Sequence, residues 1–296
     1  MDARAAGDGL GEVSVTPLLA LASAGVFGAA DFLGGMASRR WSALPVAAVG
    51  QLVGLVAVLA TALVLPADPT PADLAVGALS GLAGGAGLVL LYRGLAIGPM
   101  NVVAPVTAAL AALVPAAVGI GVGERPGPGA VAGIVLAIAA IVLVSMKRSV
   151  ARTGRPEAAS RLRTGLASAL LAGIGFGGFF TLLERTGAGS GLWPLVGARL
   201  AAVPMFAALL LAKRPARPDR PALTVAVLAG LLDMTANVLY VLAVRGGLLS
   251  LVAVLASLYP VSTVVLARLV LGERLGRLQF AGLVLAAAGV ALLAAG

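Results

Sequence analysis

The 296-residue sequence contains no cysteine and no histidine, and only 11% of its residues are charged. Without cysteine and histidine, the chain cannot form disulfides, Cys- or His-based zinc sites, a nucleophilic thiolate or a Ser-His-Asp triad. It also lacks the Gly-x-x-x-x-Gly-Lys-Ser/Thr phosphate loop, which excludes ATP-driven transport by this chain. We therefore expect no cofactor and no metal site.

Aromatic residues are scarce as well, with two Trp and three Tyr in the chain. The formal net charge is +9, but the basic residues lie between apolar runs, as is typical of topology signals in membrane proteins. So few aromatic rings provide little surface on which nucleic-acid bases can stack. We therefore exclude nucleic acid as a partner and expect a small molecule and membrane lipids, bound by a monomer or homodimer.

Long apolar runs are what the sequence has in excess, since 60% of its residues are hydrophobic. A membrane-spanning helix needs about 20 mostly apolar residues. The runs predict an all-α polytopic membrane protein with ten transmembrane helices. These spans are 16–37, 44–65, 72–96, 100–122, 128–146, 163–184, 191–212, 221–243, 248–271 and 277–295.

The sequence contains an internal duplication. Gly123-Glu124-Arg125 recurs as Gly272-Glu273-Arg274, a spacing of 149 residues (273 − 124), and 11 of the 22 positions in 123–144 match 272–293. Chance would give about three matches in so biased a composition. Each half holds five predicted spans, so the second half must cross the membrane in the opposite sense. Such inverted repeats are typical of transporters with a substrate site near the midplane. The same spacing relates Gly28 to Gly177, Gly81 to Gly230 and Gly133 to Gly282.

Polar segments set the boundaries of the two repeats. We predict a disordered tail at 1–14, a first five-helix repeat at 15–146, a basic linker at 147–162 and a second five-helix repeat at 163–296. Lys and Arg are concentrated in the connections that follow odd-numbered spans. The positive-inside rule then places the linker in the cytoplasm and both termini outside.

The ends of the repeats carry a family pattern. Each half ends with an apolar helix, the Gly-Glu-Arg motif and a glycine-containing helix, as in 271–282, and Leu258-Tyr-Pro260 precedes the second motif. With the Gly-Phe-Gly-Gly-Phe segment at 175–179, the chain resembles the EamA-type, ten-helix branch of the drug/metabolite transporter superfamily. One departure is Ala111, which stands where the second half has Pro260. The resemblance implies export or exchange of small metabolites without ATP, and we expect a multi-pass protein of a bacterial inner membrane.

Ionisable side chains within hydrocarbon cost about 2.5–3.5 kcal/mol, so each one requires a partner, a water-filled cavity or a function. Asp233 lies near the centre of its span, with Asn237 at i+4 and Tyr240 at i+7 on the same helical stripe. These three side chains are candidates for binding a polar substrate or relaying a proton. The alternative is that Asp233 pairs with Arg199 and only locks two helices together.

Three further polar residues are site candidates. Asp31 has Gly34 and Gly35 on its face of the helix, which leave room for a cavity or for a closely packed helix. Arg199 is either an anion contact or the structural partner of an Asp. Gln51 is a weaker candidate, because a lone amide often bonds a neighbouring helix.

Weaker candidates for lining a pathway carry hydroxyl groups in the fourth and ninth spans, where Pro260 could also loosen the helix for gating. The alternative is that these hydroxyls bond back to their own helices. Glu124 and Glu273 are expected to cap or pair at helix ends. The hydroxyl-bearing candidates are Thr107, Ser257, Tyr259, Ser262 and Thr263.

The function that we predict is secondary transport, with export as the direction, of a small polar or amphipathic metabolite such as an amino acid or organic amine. Burial disfavours a charged carboxylate, so Asp31 or Asp233 could take up a proton in competition with a cationic substrate. One alternative is an uncoupled facilitator or lipid-handling protein. A remote alternative is an intramembrane aspartyl protease, although neither Asp belongs to a Gly-x-Gly-Asp motif.

Overall fold

The computed structural model describes residues 15–123, 125, 127–145, 156–246, 258–273 and 276–295. Within these residues, the chain forms ten α-helices and one short 3-10 turn at Ala188–Ser190. The helices are α1 (Val15–Arg40), α2 (Ala43–Val64), α3 (Pro71–Ile97), α4 (Met100–Gly121), α5 (Pro128–Ser145), α6 (Pro156–Leu183), α7 (Trp193–Lys213), α8 (Arg220–Gly246), α9 (Tyr259–Leu271) and α10 (Arg277–Ala295).

The helices have the lengths and surfaces of membrane spans. Seven of the described helices are long and apolar enough to cross a bilayer, and α5, α9 and α10 contain shorter apolar segments. Large apolar side chains such as Val64, Leu211 and Leu269 are more than 70% exposed, whereas much of the buried core is alanine. Outward-facing aliphatic side chains are what lipid requires, so the predicted all-α polytopic fold is confirmed.

Most helix ends agree with the predicted spans within three residues, with two exceptions. Helix α6 begins at Pro156, seven residues (163 − 156) before the predicted span, so part of the predicted linker is helical. Proline at the first helical position and Glu157 in the first turn both favour this start. Helix α9 is described from Tyr259, and 248–257 of that span lie outside the described residues, as do the tail at 1–14 and linker residues 147–155.

The packing of the helices follows the duplication. Helix α1 packs on α8 as its counterpart α6 packs on α3, and α1 contacts α9 as α6 contacts α4. Helix α3 packs on α7 as α8 packs on α2. The pairs α2–α7, α4–α9 and α5–α10 join counterparts directly. Exchanging the two halves therefore reproduces the principal helix contacts.

Repeated glycines lie at these equivalent contacts. A Cβ on Gly28 would collide with Ser262 and the backbone of Thr263 on α9, and a Cβ on Gly177 would collide with Val114 on α4. Thr263 and Val114 are themselves separated by the repeat spacing of 149 residues (263 − 114). A Cβ on Gly81 would likewise meet the backbone of α7, and one on Gly230 the backbone of α2. Close helix packing thus accounts for these glycines.

Two sets of loop contacts lie at opposite ends of the bundle. At the start of α2, the Trp41 indole N–H donates to the carbonyl of Ala216, in the α7–α8 loop, at 2.6 Å. At the other end of α2, the Asp68 N–H donates to the carbonyl of Gly189, in the α6–α7 loop, at 3.0 Å. The α1–α2 loop corresponds to α6–α7, and the α2–α3 loop to α7–α8. Equivalent loops therefore meet at opposite ends, as an inverted repeat requires.

Candidate functional site

Arg199 on α7 links three helices in the interior of the bundle. Its Nη2 donates to Asp233 Oδ2 on α8 at 2.6 Å, and its Nη1 donates to Gln51 Oε1 on α2. The Arg199 and Asp233 side chains are 12% and 18% exposed. Gly54 gives the guanidinium room, because a Cβ there would lie 3.3 Å from Arg199 Nε. Asp233 thus pairs with Arg199, as expected from the alternative in which the two residues lock neighbouring helices together.

This charged cluster breaks the symmetry of the two halves. At the repeat spacing, the counterpart of Arg199 is Gly50 and the counterpart of Asp233 is Gly84 (both 149 residues earlier). Gly50 packs against Gly230 on α8, and Gly84 packs against Phe179 on α6. At the equivalent place, where Gly50 and Gly84 stand, close helix packing replaces the charged pair. The polar interior is therefore formed at only one of the two equivalent places.

Asp31 on α1 has the opposite surroundings. The residue is 8% exposed, and the described chain offers its carboxyl neither a hydrogen bond nor an ion pair. The charge of Asp233 nevertheless acts on it across the contact between α1 and α8. Buried polar groups normally have partners, so an unpaired carboxyl at this depth marks a candidate ligand or proton site.

Two tyrosines border Asp31 along α1. The Tyr92 ring from α3 packs on the backbone of α1 at Gly34, one turn after Asp31. The Tyr259 ring from α9 packs against Phe27, one turn before Asp31, with ring centroids 6.3 Å apart. The charge of Asp31 acts on both phenols. The glycines beside Asp31 therefore accommodate a closely packed helix, which is one of the two predicted possibilities.

Tyr92, which borders Asp31 from α3, was not identified as a candidate from the sequence. It is 2% exposed, and its phenol forms no hydrogen bond with the described residues. The charges of Asp233, Asp31 and Arg199 all act on it. The available signal was Gly34, since a glycine one turn from a buried Asp leaves a space that a ring from another helix can fill.

The predicted stripe on α8 is divided between two environments. Asn237 Nδ2 donates to the backbone carbonyl of Asp233 at 2.8 Å, which is a bond within its own helix. Tyr240 packs against Ala20 and Ala243, two turns along α8 from Asp233. The structure therefore does not bring the Asn237 amide or the Tyr240 phenol to the Arg199–Asp233 pair.

The predicted pathway hydroxyls mostly join neighbouring helices. Thr107 Oγ1 donates to the Ala169 carbonyl at 3.2 Å, and Thr263 Oγ1 donates to the Gly28 carbonyl at 3.1 Å. Both threonines are fully buried, and they tie α4 to α6 and α9 to α1 at equivalent contacts. The Ser262 side chain contributes to the same α9–α1 contact. Ser257 lies outside the described residues.

Glu273 caps a helix, as the sequence predicts. Its two carboxylate oxygens accept from the backbone N–H groups of Met100 and Asn101 at 3.2 Å each, at the start of α4. Arg39 Nη2 lies 3.7 Å from the same carboxylate and also donates to the Leu95 carbonyl. This link joins the second repeat to the first. Glu124 lies outside the described residues. Among the described residues, no group of three or more acidic side chains could hold a metal ion.

Comparisons with known proteins agree with this architecture. The EamA-like transporter family matches residues 15–146 and 163–295. No curated protein matches the chain. A solved structure described only as "Crystal structure of protein" superimposes with a TM-score of 0.56 at 18% identity, over 95% of this chain and 97% of that chain. At that identity the likeness shows the fold alone.

Proposed function

The chain belongs to the EamA-like transporter family of membrane proteins, and on this premise we propose that it exchanges a small organic molecule for protons. The substrate would be a polar or amphipathic metabolite, such as an amino acid or organic amine, and the direction would be export from a bacterial cell. Family membership supports transport, but it does not supply the coupling. The single observation that supports coupling is the buried Asp31 carboxyl, which has neither a hydrogen bond nor an ion pair with the described residues.

The physical basis of coupling is the cost of an uncompensated charge. An ionised carboxylate out of water costs several kcal/mol unless a cation or hydrogen-bond donors compensate it. Asp31 therefore has two favourable states, either protonated or ionised with a bound cation. Because proton and substrate compete for one carboxyl, each one promotes release of the other, and this reciprocity is what exchange requires.

Asp233 has a different role in this proposal. Its carboxylate already accepts from Arg199, which also holds Gln51, so it is compensated without a ligand. It stabilises the contact among α2, α7 and α8 and contributes a fixed charge beside Asp31. We therefore assign coupling to Asp31 and a positioning role to the Arg199–Asp233 pair.

The inverted packing supports alternating access as the transport motion. Two equivalent contacts, α1 with α9 and α4 with α6, are related by exchange of the halves. If each half can adopt the conformation of the other, the site opens to one side and then to the other. The charge distribution supports an orientation with the linker in the cytoplasm and both termini outside.

Transport by the reconstituted full-length protein tests the proposal. Proteoliposomes with a pH gradient would be offered labelled amino acids, amines and sugar phosphates, using the wild type, Asp31→Asn and the control Asp68→Asn. Asp68 lies on the exposed α2–α3 connection, away from the site. We expect driven uptake of at least one compound by the wild type and Asp68→Asn, with loss in Asp31→Asn. Full driven transport by Asp31→Asn would refute the proposed coupling, and equal rates with and without the gradient would favour an uncoupled facilitator.

A further inference from the structure

The charges that meet at Asp31 do not cancel. Asp233 faces it from α8, and Arg199 from α7 pairs with that neighbour. The titratable groups that face Asp31 from α3 and α9 are the phenols of Tyr92 and Tyr259, which are neutral near pH 7. Helix α2 carries no ionisable side chain, and its Gln51 amide oxygen accepts from Arg199. The sequence of segment 247–257 contains no ionisable residue.

With both carboxyls ionised, this group carries one net negative charge, from two Asp and one Arg. One proton or one monovalent cation brings the group to neutrality. A second cation, or a ligand with no net charge, leaves an uncompensated charge in a region where such charges are costly. The number of charges therefore restricts the class of ligand.

The unpaired polar atoms restrict it further. Asp31 is 8% exposed and Tyr92 is 2% exposed, and neither side chain forms a hydrogen bond with the described residues. An ammonium group can donate N–H to the carboxylate and to the phenol oxygen at once. Aromatic rings also attract organic cations, and Tyr92 and Tyr259 border the carboxyl on both sides.

We propose that the substrate is a small organic amine that carries one positive charge and no carboxylate, and that one such cation is exchanged for one proton with no net movement of charge. This inference rests on the proposed function and selects between the substrate classes named there. A zwitterionic amino acid fits poorly because its carboxylate requires a cation. Arg199, the cation at this place, already donates to Asp233 and Gln51.

Matched compounds test the substrate class on the wild-type protein. Choline and glycine betaine share a trimethylammonium group and differ by a carboxylate, and phenethylamine and phenylalanine differ in the same way. Uptake into proteoliposomes would be driven by a pH gradient, with protein-free liposomes measuring leakage. We expect at least one member of the amine set, choline or phenethylamine, to be transported at least about tenfold faster than its carboxylate-bearing counterpart, because an unpaired charge costs about 1.4 kcal/mol or more.

A second arm of the experiment tests the stoichiometry. Potassium gradients with valinomycin would set the membrane potential while the pH is equal on both sides. We expect this potential neither to drive nor to oppose uptake of the transported amine. Uptake driven by the potential would overturn one-for-one exchange.

The outcomes separate this inference from the proposed function. Driven transport of phenylalanine or glycine betaine in preference to the amines would overturn the inference and leave proton-coupled transport intact. Absence of driven transport for the full panel of amino acids, amines and sugar phosphates would overturn both. Asp31→Glu keeps the charge and is expected to retain driven transport with selectivity for the amine, whereas Asp31→Asn is expected to lose driven transport. Thermal unfolding of both variants shows whether each one is folded.

Discussion

Arg199 on α7 pairs with Asp233 on α8, whereas Asp31, on the α1 helix that packs against α8, has no ion pair with the described residues. One carboxyl is therefore compensated by the protein, and the other is left for a ligand or a proton. The two acidic residues of one bundle thus have different roles, one structural and one in binding.

Replacing Arg199 should show how much its ion pair with Asp233 contributes to stability. Arg199→Gln leaves Asp233 buried without its cation, and we expect a loss of about 3–5 kcal/mol in the free energy of unfolding. The double variant Arg199→Gln/Asp233→Asn removes both charges and should recover most of that loss. Thermal and denaturant unfolding in detergent measures both. A double variant as unstable as the single one would show that the ion pair is not what stabilises this contact.

The Tyr92 phenol should matter for ligands that can donate a hydrogen bond. Tyr92→Phe keeps the ring against Gly34 and removes the oxygen, so we expect affinity for a primary amine to fall about tenfold or more. A trimethylammonium compound has no N–H to donate, and its affinity should change little. Binding measured by calorimetry would decide this. Equal losses for both ligands would show that Tyr92 acts through packing alone.

Gly28 should tolerate no side chain. Its Cβ would collide with Ser262 and the backbone of α9, so Gly28→Ala is expected to cost about 1–3 kcal/mol by forcing α1 and α9 apart. Gly25→Ala is the matched control on the same helix, since nothing lies within 4 Å of its Cβ position. Comparison of the two melting temperatures measures the difference. Equal stabilities would contradict the close α1–α9 approach.

The Glu273 cap should contribute to the stability of α4. Glu273→Ala removes the acceptors of two backbone N–H groups, and a lost cap typically costs about 0.5–2 kcal/mol. Glu157→Ala is the control, because this residue is an exposed first-turn glutamate. Hydrogen exchange at the first turn of α4 would report the change directly. Unaltered protection there would mean that other groups hold this turn.

The duplicated sequence predicted the number of helices and most of their ends, for a physical reason. Spans are marked by uninterrupted apolar runs, and a repeated glycine such as Gly81 or Gly230 marks a place where two backbones touch. The early start of α6 was not predictable from hydropathy, since its first two turns are polar and carry Arg161 and Arg163.

The candidate site was only partly predictable. Sequence position identified Asp31, Asp233 and Arg199 as buried charges, but it could not say which carboxyl the arginine reaches. That choice depends on how α1, α7 and α8 are placed around one another. Tyr92 was missed for the same reason, because its proximity to Asp31 results from the packing of α3 on α1 at Gly34.

Coupling at Asp31 is tested most directly by the proton flux that accompanies substrate entry. The amine that the wild type transports, choline or phenethylamine, would be added outside proteoliposomes that enclose a fluorescent pH indicator, with no gradient imposed beforehand and with protein-free liposomes as the blank. For the wild type and Asp68→Asn, we predict internal alkalinisation above the blank, with one proton released for each cation taken up, and no such pH change for Asp31→Asn. Uptake by the wild type without any internal pH change above the blank, or alkalinisation that persists in Asp31→Asn, would contradict proton exchange at this carboxyl.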